Sequence, residues 1–277
     1  MSIFFIFLIG LFFGSFLNVL ADRLPNGKSM LGRSSCDFCK HVLGTKDLIP
    51  LFSFIYLRGK CRYCAKKLSF NYPLLELVTG FGFVLSFILV NFQYYLSLFG
   101  LNYLTKFESL HLLMSVSLQP SILALYLFAF IITSVLIVIF FADFRYGIIP
   151  DTMIAVGVLA TVVWLLFLGR DDFINHFIAG AGAFLFFYLL FVLTRQKGIG
   201  FGDVKFAFFM GLLLGVTDVI FALYIAFLTG GIVGIILILW KKKQMKSAIS
   251  FGPFLVLGTF ISFFLSSLFI PVIWGFL

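Results

Sequence analysis

Residues 122–143 read ILALYLFAFIITSVLIVIFFAD, an uncharged run that ends abruptly on a carboxylate. A bilayer core of about 30 Å is crossed by roughly 20 mainly apolar residues in helical conformation, because only a helix satisfies every backbone N–H and C=O within one segment. The run is long enough to cross, and Asp143 falls where it would leave the bilayer. The rest of the chain repeats the pattern. Of its 277 residues 62% are hydrophobic and 11% charged, far from the balance of a water-soluble domain. Spans are predicted at 3–20, 74–98, 122–142, 152–169, 173–194, 204–216, 218–239 and 251–275. The expected fold class is therefore an all-α polytopic membrane protein of about eight transmembrane helices. The sixth span is short, and a kink near Val216-Thr217-Asp218 would reduce the count to seven.

The segment MSIFFIFLIGLFFGSFLNVLADR begins without a basic stretch and lacks a small-x-small cleavage pattern, so it reads as a retained anchor and not a removable signal. Every Lys and Arg except Lys106 and Arg170 falls in loops that lie on one side if the eight spans alternate. Cytoplasmic loops hold such an excess, which places that side in the cytosol and both termini outside. The net charge of +9 is then a topology signal. No nucleic-acid partner is expected, because the basic residues are spread among short loops. Residues 99–121 are partly apolar and read as an amphipathic piece lying along the outer membrane surface.

Residues 21–73 are the one long polar interruption and contain every cysteine, as CDFC at 36–39 and CRYC at 61–64. Two such pairs bring four thiolates, Cys36, Cys39, Cys61 and Cys64, around one ion, and zinc is the expected metal, in a structural role since protein fills all four positions. Two disulfides are the competing reading and would suit an oxidising compartment; the charge pattern puts the segment in the cytosol, where thiols stay reduced. So short a segment buries little apolar surface, a deficit that a bound metal offsets.

No internal repeat and no GxxxxGK[ST] loop occurs. His41, His111 and His176 sit in no HExxH arrangement and beside no candidate nucleophile, which argues against metalloprotease and serine protease chemistry. Ser15, Ser86 and Ser134 read as small helix-packing residues. Among the acids, Asp22, Asp37, Asp47, Glu108, Asp171 and Asp172 belong to loops. Glu76, Asp151 and Asp218 stand at helix starts, where a carboxylate meets the positive end of the helix dipole.

Asp143 and Asp203 are different. Asp143 stands at the exit of a span, an electrostatically unfavourable place for an acid, and ionisable groups at membrane depth are functional candidates. Asp203, in GIGFGDVKF at 198–206, is explained by helix capping if taken alone. Together the two acids lie at one cytoplasmic level. Such a pair can share a proton, one carboxylate taking a proton from water while the other polarises a peptide carbonyl, as in aspartic proteolysis. Gly200 and Gly202 would then let an extended substrate backbone come close and permit unusual dihedrals before the helix. Lys205 joins them as a supporting residue.

Five segments resemble, in order, the signature segments of the type IV prepilin peptidases, or leader peptidase/N-methyltransferases: GLFFGSFLNVLADRLP at 10–25, the cysteine-containing stretch 33–76, DFRYGIIPD at 143–151, GFGDVKFAFFMGLLLG at 200–215 and SFGPFLVLG at 250–258. The resemblance implies a GxGD-type intramembrane aspartic protease architecture in a bacterial cytoplasmic (inner) membrane, with Asp143 and Asp203 matching the catalytic acids. It implies prepilins and pseudopilins as substrates, cut after a glycine between a basic leader and an apolar helix. It further implies methylation of the new amino terminus from S-adenosylmethionine, attributed to the cysteine-containing region; the methyl-donor residues are unassigned. The corresponding division is 1–20 as first helix, 21–73 as zinc-binding domain and 74–277 as peptidase domain. Ser250 departs from the family's usual Pro, a change expected to touch neither acid. The readings from other classes are an ion-coupled transporter, which needs its acids near the midplane, and a non-catalytic zinc-stabilised membrane scaffold.

Overall fold

The computed structural model describes residues 3–29, 32–98, 120–168, 170–195, 198–240 and 250–274. The amphipathic piece expected at 99–121 lies outside the described residues. The described helices are α1 (Ile3–Arg23), the short α2 (Phe52–Tyr56), α3 (Asn71–Leu98), α4 (Pro120–Tyr146), α5 (Asp151–Leu168), α6 (Arg170–Leu193), α7 (Phe201–Leu214), α8 (Val216–Leu239) and α9 (Gly252–Trp274). Among the described residues no strand forms beyond two isolated bridges, Ser35 to Val42 and Lys60 to Lys67. Among the described residues five helical stretches are long and apolar enough to cross a membrane: Ile3–Arg23, Asn71–Phe92, Leu123–Tyr146, Phe173–Leu193 and Val216–Leu237. The chain is thus a polytopic helical membrane protein. Asp151–Leu166 and Gly252–Leu265 are shorter apolar helices.

The chain divides into two compact units, Met1–Phe87 and Ile88–Leu277. In the first, α1 and α3 meet through glycine. A Cβ on Gly10 would come within 2.7 Å of the Gly80 Cα, and one on Gly14 within 2.8 Å of the Glu76 Cα. Gly10 and Gly14 form a GxxxG pair, the spacing that puts two small residues on one helix face and lets backbones approach where lipid supplies no hydrophobic drive. Between these helices the cysteine segment forms two matching turns. Cys36 N–H donates to the His41 carbonyl and Lys40 N–H to the Cys36 carbonyl; Cys61 N–H and Ala65 N–H repeat the pattern with Lys66 and Cys61. Lys40 and Ala65 occupy the same left-handed conformation, at φ 57° and 56°.

The second unit is a helical bundle in which α7 is the central element. Phe206, Phe209 and Met210 are fully buried, and α7 packs on α5, α6, α8 and α9. Small residues again permit the approach: a Cβ on Gly211 would meet the Ala179 carbonyl carbon at 2.6 Å, and one on Gly157 the Phe209 ring at 2.6 Å. At fourteen residues α7 is about 21 Å long, less than the thickness of a bilayer core. The interruption sensed near Val216 is a true break. Gly215, at φ 81°, ends α7 with its N–H on the Gly211 carbonyl, and α8 starts at the next residue. Gly147 ends α4 in the same way, at φ 65°, its N–H donating to the carbonyl of Asp143.

Candidate active site and metal centre

Asp143 lies in the last turn of α4 and Asp203 in the first turn of α7, so an exiting helix and a starting helix each deliver one acid. They are 5% and 8% exposed and near enough for the charge on Asp143 to act on Asp203. The helices α5 and α9 bridge α4 and α7, each packing on both. Ile149, in the connection from α4 to α5, fills the space around the pair. It stands 3.2 Å from where a Cβ on Gly202 would sit, and its Cδ1 is 3.2 Å from the Cβ position of Gly252.

Each carboxylate has its own donors. Gly200 N–H donates to Asp203 Oδ2 at 3.1 Å, while Asp203 N–H donates to the Gly200 carbonyl at 3.1 Å, a reciprocal capping box with Asp203 three residues inside the helix and Gly200 as the cap. Asp143 accepts from the Gly252 N–H at the start of α9, and the Ser250 hydroxyl donates to its Oδ2. The expectation that Ser250 touches neither acid is therefore corrected: the segment before α9 folds onto the end of α4, which brings Ser250 to the carboxylate. Gly252 is obligatory for the same reason, because a Cβ there would run into Asp143 Oδ2. Nothing in the local sequence signals this contact, since the partners are more than a hundred residues apart.

The unusual dihedrals expected of the GIGFGD glycines do not occur. Gly200 has ordinary extended dihedrals, φ −77° and ψ 150°, and Gly202 lies within α7, so neither needs an unusual backbone. Gly202 instead clears Ile149. The Lys205 ammonium is held by both oxygens of Asp151, at 2.8 and 2.7 Å, and also lies over the Phe201 ring. This pair ties the start of α5 to α7, and it gives Asp151 a cation beyond its place in the first helical turn. Of the histidines, His176 Nδ1 is 2.8 Å from the Leu212 carbonyl, linking α6 to α7; His111 lies outside the described residues.

In the first unit Cys36, Cys39, Cys61 and Cys64 converge with their sulfurs within 4.8 Å of one another, and all four are free thiols. The donor set fits a tetrahedral metal site: each CxxC turn presents two sulfurs from a rigid knuckle, and the knuckles face one another. The Cys39 N–H leads the influences that bring Cys36 down to about 7. For Cys64 the Lys66 N–H acts downward, but desolvation and the crowd of neighbouring sulfurs prevail and push it up to about 11. Four sulfurs this close cannot all ionise without a cation among them, which is what a metal supplies. The residues inside CRYC lock the arrangement. Tyr63 stacks on His41 at 3.7 Å between ring centroids, and Arg62 Nε and the Tyr63 hydroxyl donate to Asp47 at 2.6 and 3.0 Å.

Glu76 also proves to be more than a helix-start acid. It lies in the second turn of α3, is buried, and accepts the Leu51 N–H at 2.8 Å and the Ser15 hydroxyl. Ser15 thus has a polar partner as well as its place on a packed helix.

Comparison with known proteins agrees with this layout. The family described as "Bacterial Peptidase A24 N-terminal domain" matches residues 8–90, and the "Type IV leader peptidase family" matches residues 130–235. A protein of Bacillus subtilis (strain 168), named prepilin leader peptidase/N-methyltransferase, is 28% identical over 259 residues, covering 93% of this chain and 92% of its own length. A protein of the same name from Myxococcus xanthus (strain DK1622) is 32% identical over 240 residues, covering 85% of this chain and 63% of that one. A third, from Aeromonas hydrophila, is 27% identical over 286 residues, with 93% and 88% covered. No solved structure matches the chain. With both family regions in sequence order and full-length relatives of one name, the chain belongs to the type IV prepilin leader peptidase family.

Proposed function

We propose that this protein is a membrane aspartic endopeptidase that removes the basic leader from type IV prepilins and pseudopilins after a glycine and then methylates the new amino terminus from S-adenosylmethionine. Asp143 and Asp203 are the catalytic pair. The observation that carries this reading is that two acids 60 positions apart in the sequence are both buried, one at a helix end and one at a helix start, near enough for the charge on Asp143 to act on Asp203. The names of the relatives support the same activity.

The chemistry follows from the pairing. Two close carboxylates in a partly desolvated site do not both ionise readily, so one proton is shared. The ionised member takes a proton from water as the water oxygen attacks the carbonyl carbon of the scissile peptide. The protonated member donates to the carbonyl oxygen as the tetrahedral intermediate forms. Collapse of the intermediate breaks the C–N bond: the departing nitrogen takes a proton from the acid that had accepted one from water, while a hydroxyl of the intermediate returns its proton to the other carboxylate, leaving the carboxylic acid product and the starting protonation of the pair. Gly252 N–H and the Ser250 hydroxyl hold Asp143 for this exchange, while Gly200 N–H holds Asp203. Ile149 and the Lys205–Asp151 pair keep the surrounding helices in register.

For topology we assign eight spans with the cysteine segment and both acids on the cytoplasmic side of a bacterial inner membrane, on the strength of the loop charges. A prepilin leader is basic and its stem apolar, so its scissile bond falls at that interface, where helix ends also put the acids. Transport is disfavoured by the same position, at helix ends and not mid-span. Within the chain, residues 21–73 hold a structural zinc on the four cysteines and serve methyl transfer, and residues 74–277 carry cleavage. Bound S-adenosylmethionine supplies an electrophilic methyl group; the chain must hold it against a deprotonated terminal amine.

The test is cleavage of a prepilin by the purified protein in detergent. Asp143→Asn and Asp203→Asn are each expected to abolish it, and cleavage retained by either variant refutes the pair. Mass analysis of the mature product with and without S-adenosylmethionine tests methylation, which is rejected by an unmodified terminus under saturating donor.

A further inference from the structure

We infer that the cavity of the Met1–Phe87 unit is the methyl-donor site, with Asn18 and Glu76 as polar anchors in its wall. The inference rests on the methyl-transfer half of the proposed function. The cavity has a volume of about 680 Å³ and is lined by α1, α3 and the cysteine segment, Cys36 and Cys61 included. Sites for small molecules span roughly 300–1,000 Å³.

Two side chains distinguish it from a packing gap. Asn18 is 5% exposed; its Nδ2 donates to the Tyr72 carbonyl at 2.9 Å, whereas its Oδ1, buried in the same wall, has no hydrogen-bond partner. Buried acceptors are rarely left so, and one that lines a cavity points to a ligand N–H or O–H. Glu76, 8% exposed, lines the same cavity, and its donors, Leu51 N–H and Ser15 hydroxyl, are neutral. A carboxyl group and an unused amide oxygen in one cavity wall are complementary to a ligand that brings positive charge and several hydrogen-bond donors. S-adenosylmethionine brings a sulfonium, an ammonium, a ribose diol and an adenine amino group, and Phe16 and Phe54 offer apolar surface for its ring. Arg23, Lys28, Arg33, Lys40 and Arg62 also line the cavity and suit the carboxylate of S-adenosylmethionine; a phosphate could use the same cations but has no N–H for the Asn18 oxygen. The site also accounts for the cysteine cluster in methyl transfer: the knuckles form one wall, so the metal shapes the cavity without touching the reaction.

The experiment uses the full-length protein in detergent with tritiated S-adenosylmethionine. Ultraviolet crosslinking followed by peptide mapping is expected to label residues 11–23 and 68–80. Label confined to Ile88–Leu277 overturns the assignment. Equilibrium binding of S-adenosylhomocysteine is expected to weaken about tenfold or more in Asn18→Leu and in Glu76→Gln, the effect of one lost buried hydrogen bond to a ligand, with thermal unfolding reporting that each variant is folded. Wild-type binding that both folded variants keep overturns the site while methyl transfer stands. A wild-type protein that neither binds the probe nor methylates its product refutes the methyltransferase reading itself. Displacement of bound probe by phosphatidylglycerol vesicles, but not by phosphatidylcholine vesicles, shows a headgroup site and also overturns the assignment.

Discussion

The two units of this chain gather their polar groups in opposite ways. In Met1–Phe87 the four cysteines come from two short turns, each shaped by hydrogen bonds among neighbours such as Cys36 with His41 and Cys61 with Lys66. In Ile88–Leu277 the acids come from different helices, and their donors from a third place again, Ser250 and Gly252. A metal site can thus be built from local chain geometry. An acid pair in a membrane bundle depends on how helices pack, here with glycine at close approaches such as Gly157 and Gly211.

The sharpest test of that contrast is to damage one unit and read the other. Asp143→Asn or Asp203→Asn is expected to lower prepilin cleavage by about a thousandfold or more, in the upper range for loss of an acid–base group, while metal content stays unchanged; a parallel loss of metal would break the separation. The converse is the double variant of Cys36 and Cys39 to Ser. Bound zinc should fall from about one per chain to near none, and methylation about a hundredfold, with cleavage reduced far less. Atomic emission and product mass spectrometry measure the two.

Gly252→Ala probes the long-range assembly alone. Its Cβ cannot share space with Asp143 Oδ2, so the carboxylate must move, and displacement on the scale of an ångström costs about a hundredfold in rate. Cleavage within twofold of wild type would mean the acid is not held as described. Ser250→Ala removes one hydroxyl donor from the same carboxylate and is expected to cost about tenfold. Ser250→Pro, which restores the residue usual in the family, should show whether another donor takes over.

The smallest effect is on the stability of the first unit. Burial alone would raise the Asp47 carboxyl, but the Gly44 N–H, Arg62 and Tyr63 outweigh it and hold it below the usual range. A depressed carboxyl contributes its stability in full above its unfolded value, about 3.9, and loses it as pH falls through the lower folded value. Asp47→Asn should therefore lower the unfolding temperature of the wild-type protein by a few degrees at pH 6, and the difference should shrink below about pH 4. A difference independent of pH would assign Asp47 a merely steric role.

The apolar runs that read as spans all fold as helices, because a backbone in hydrocarbon has no other way to pair its polar groups and so length and composition suffice. The cysteine cluster was legible for a related reason: CxxC spacing is a property of one turn. The GxxxG at Gly10 and Gly14, which the sequence did not single out, gained its meaning only from its partner, Gly80. Glu76 and Ser250 escaped, one explained as a helix-start acid and the other as a harmless departure, because each acquires its meaning from a residue far away in sequence. Asp143 and Asp203 were singled out by position alone, and their proximity was an expectation until the bundle brought α4 and α7 together through α5 and α9.

By itself, then, the amino-acid order determined where helices run, on which loops the basic residues gather, and which four thiols come together, since each depends on hydropathy, charge or spacing within a few turns. The tertiary structure alone decided that Ser250 and Gly252 hold Asp143, that Lys205 answers Asp151, and that Asn18 and Glu76 face one cavity. Those contacts are fixed by which helix faces meet, and helix packing in lipid turns on steric fit between distant small residues, a quantity that no local pattern encodes.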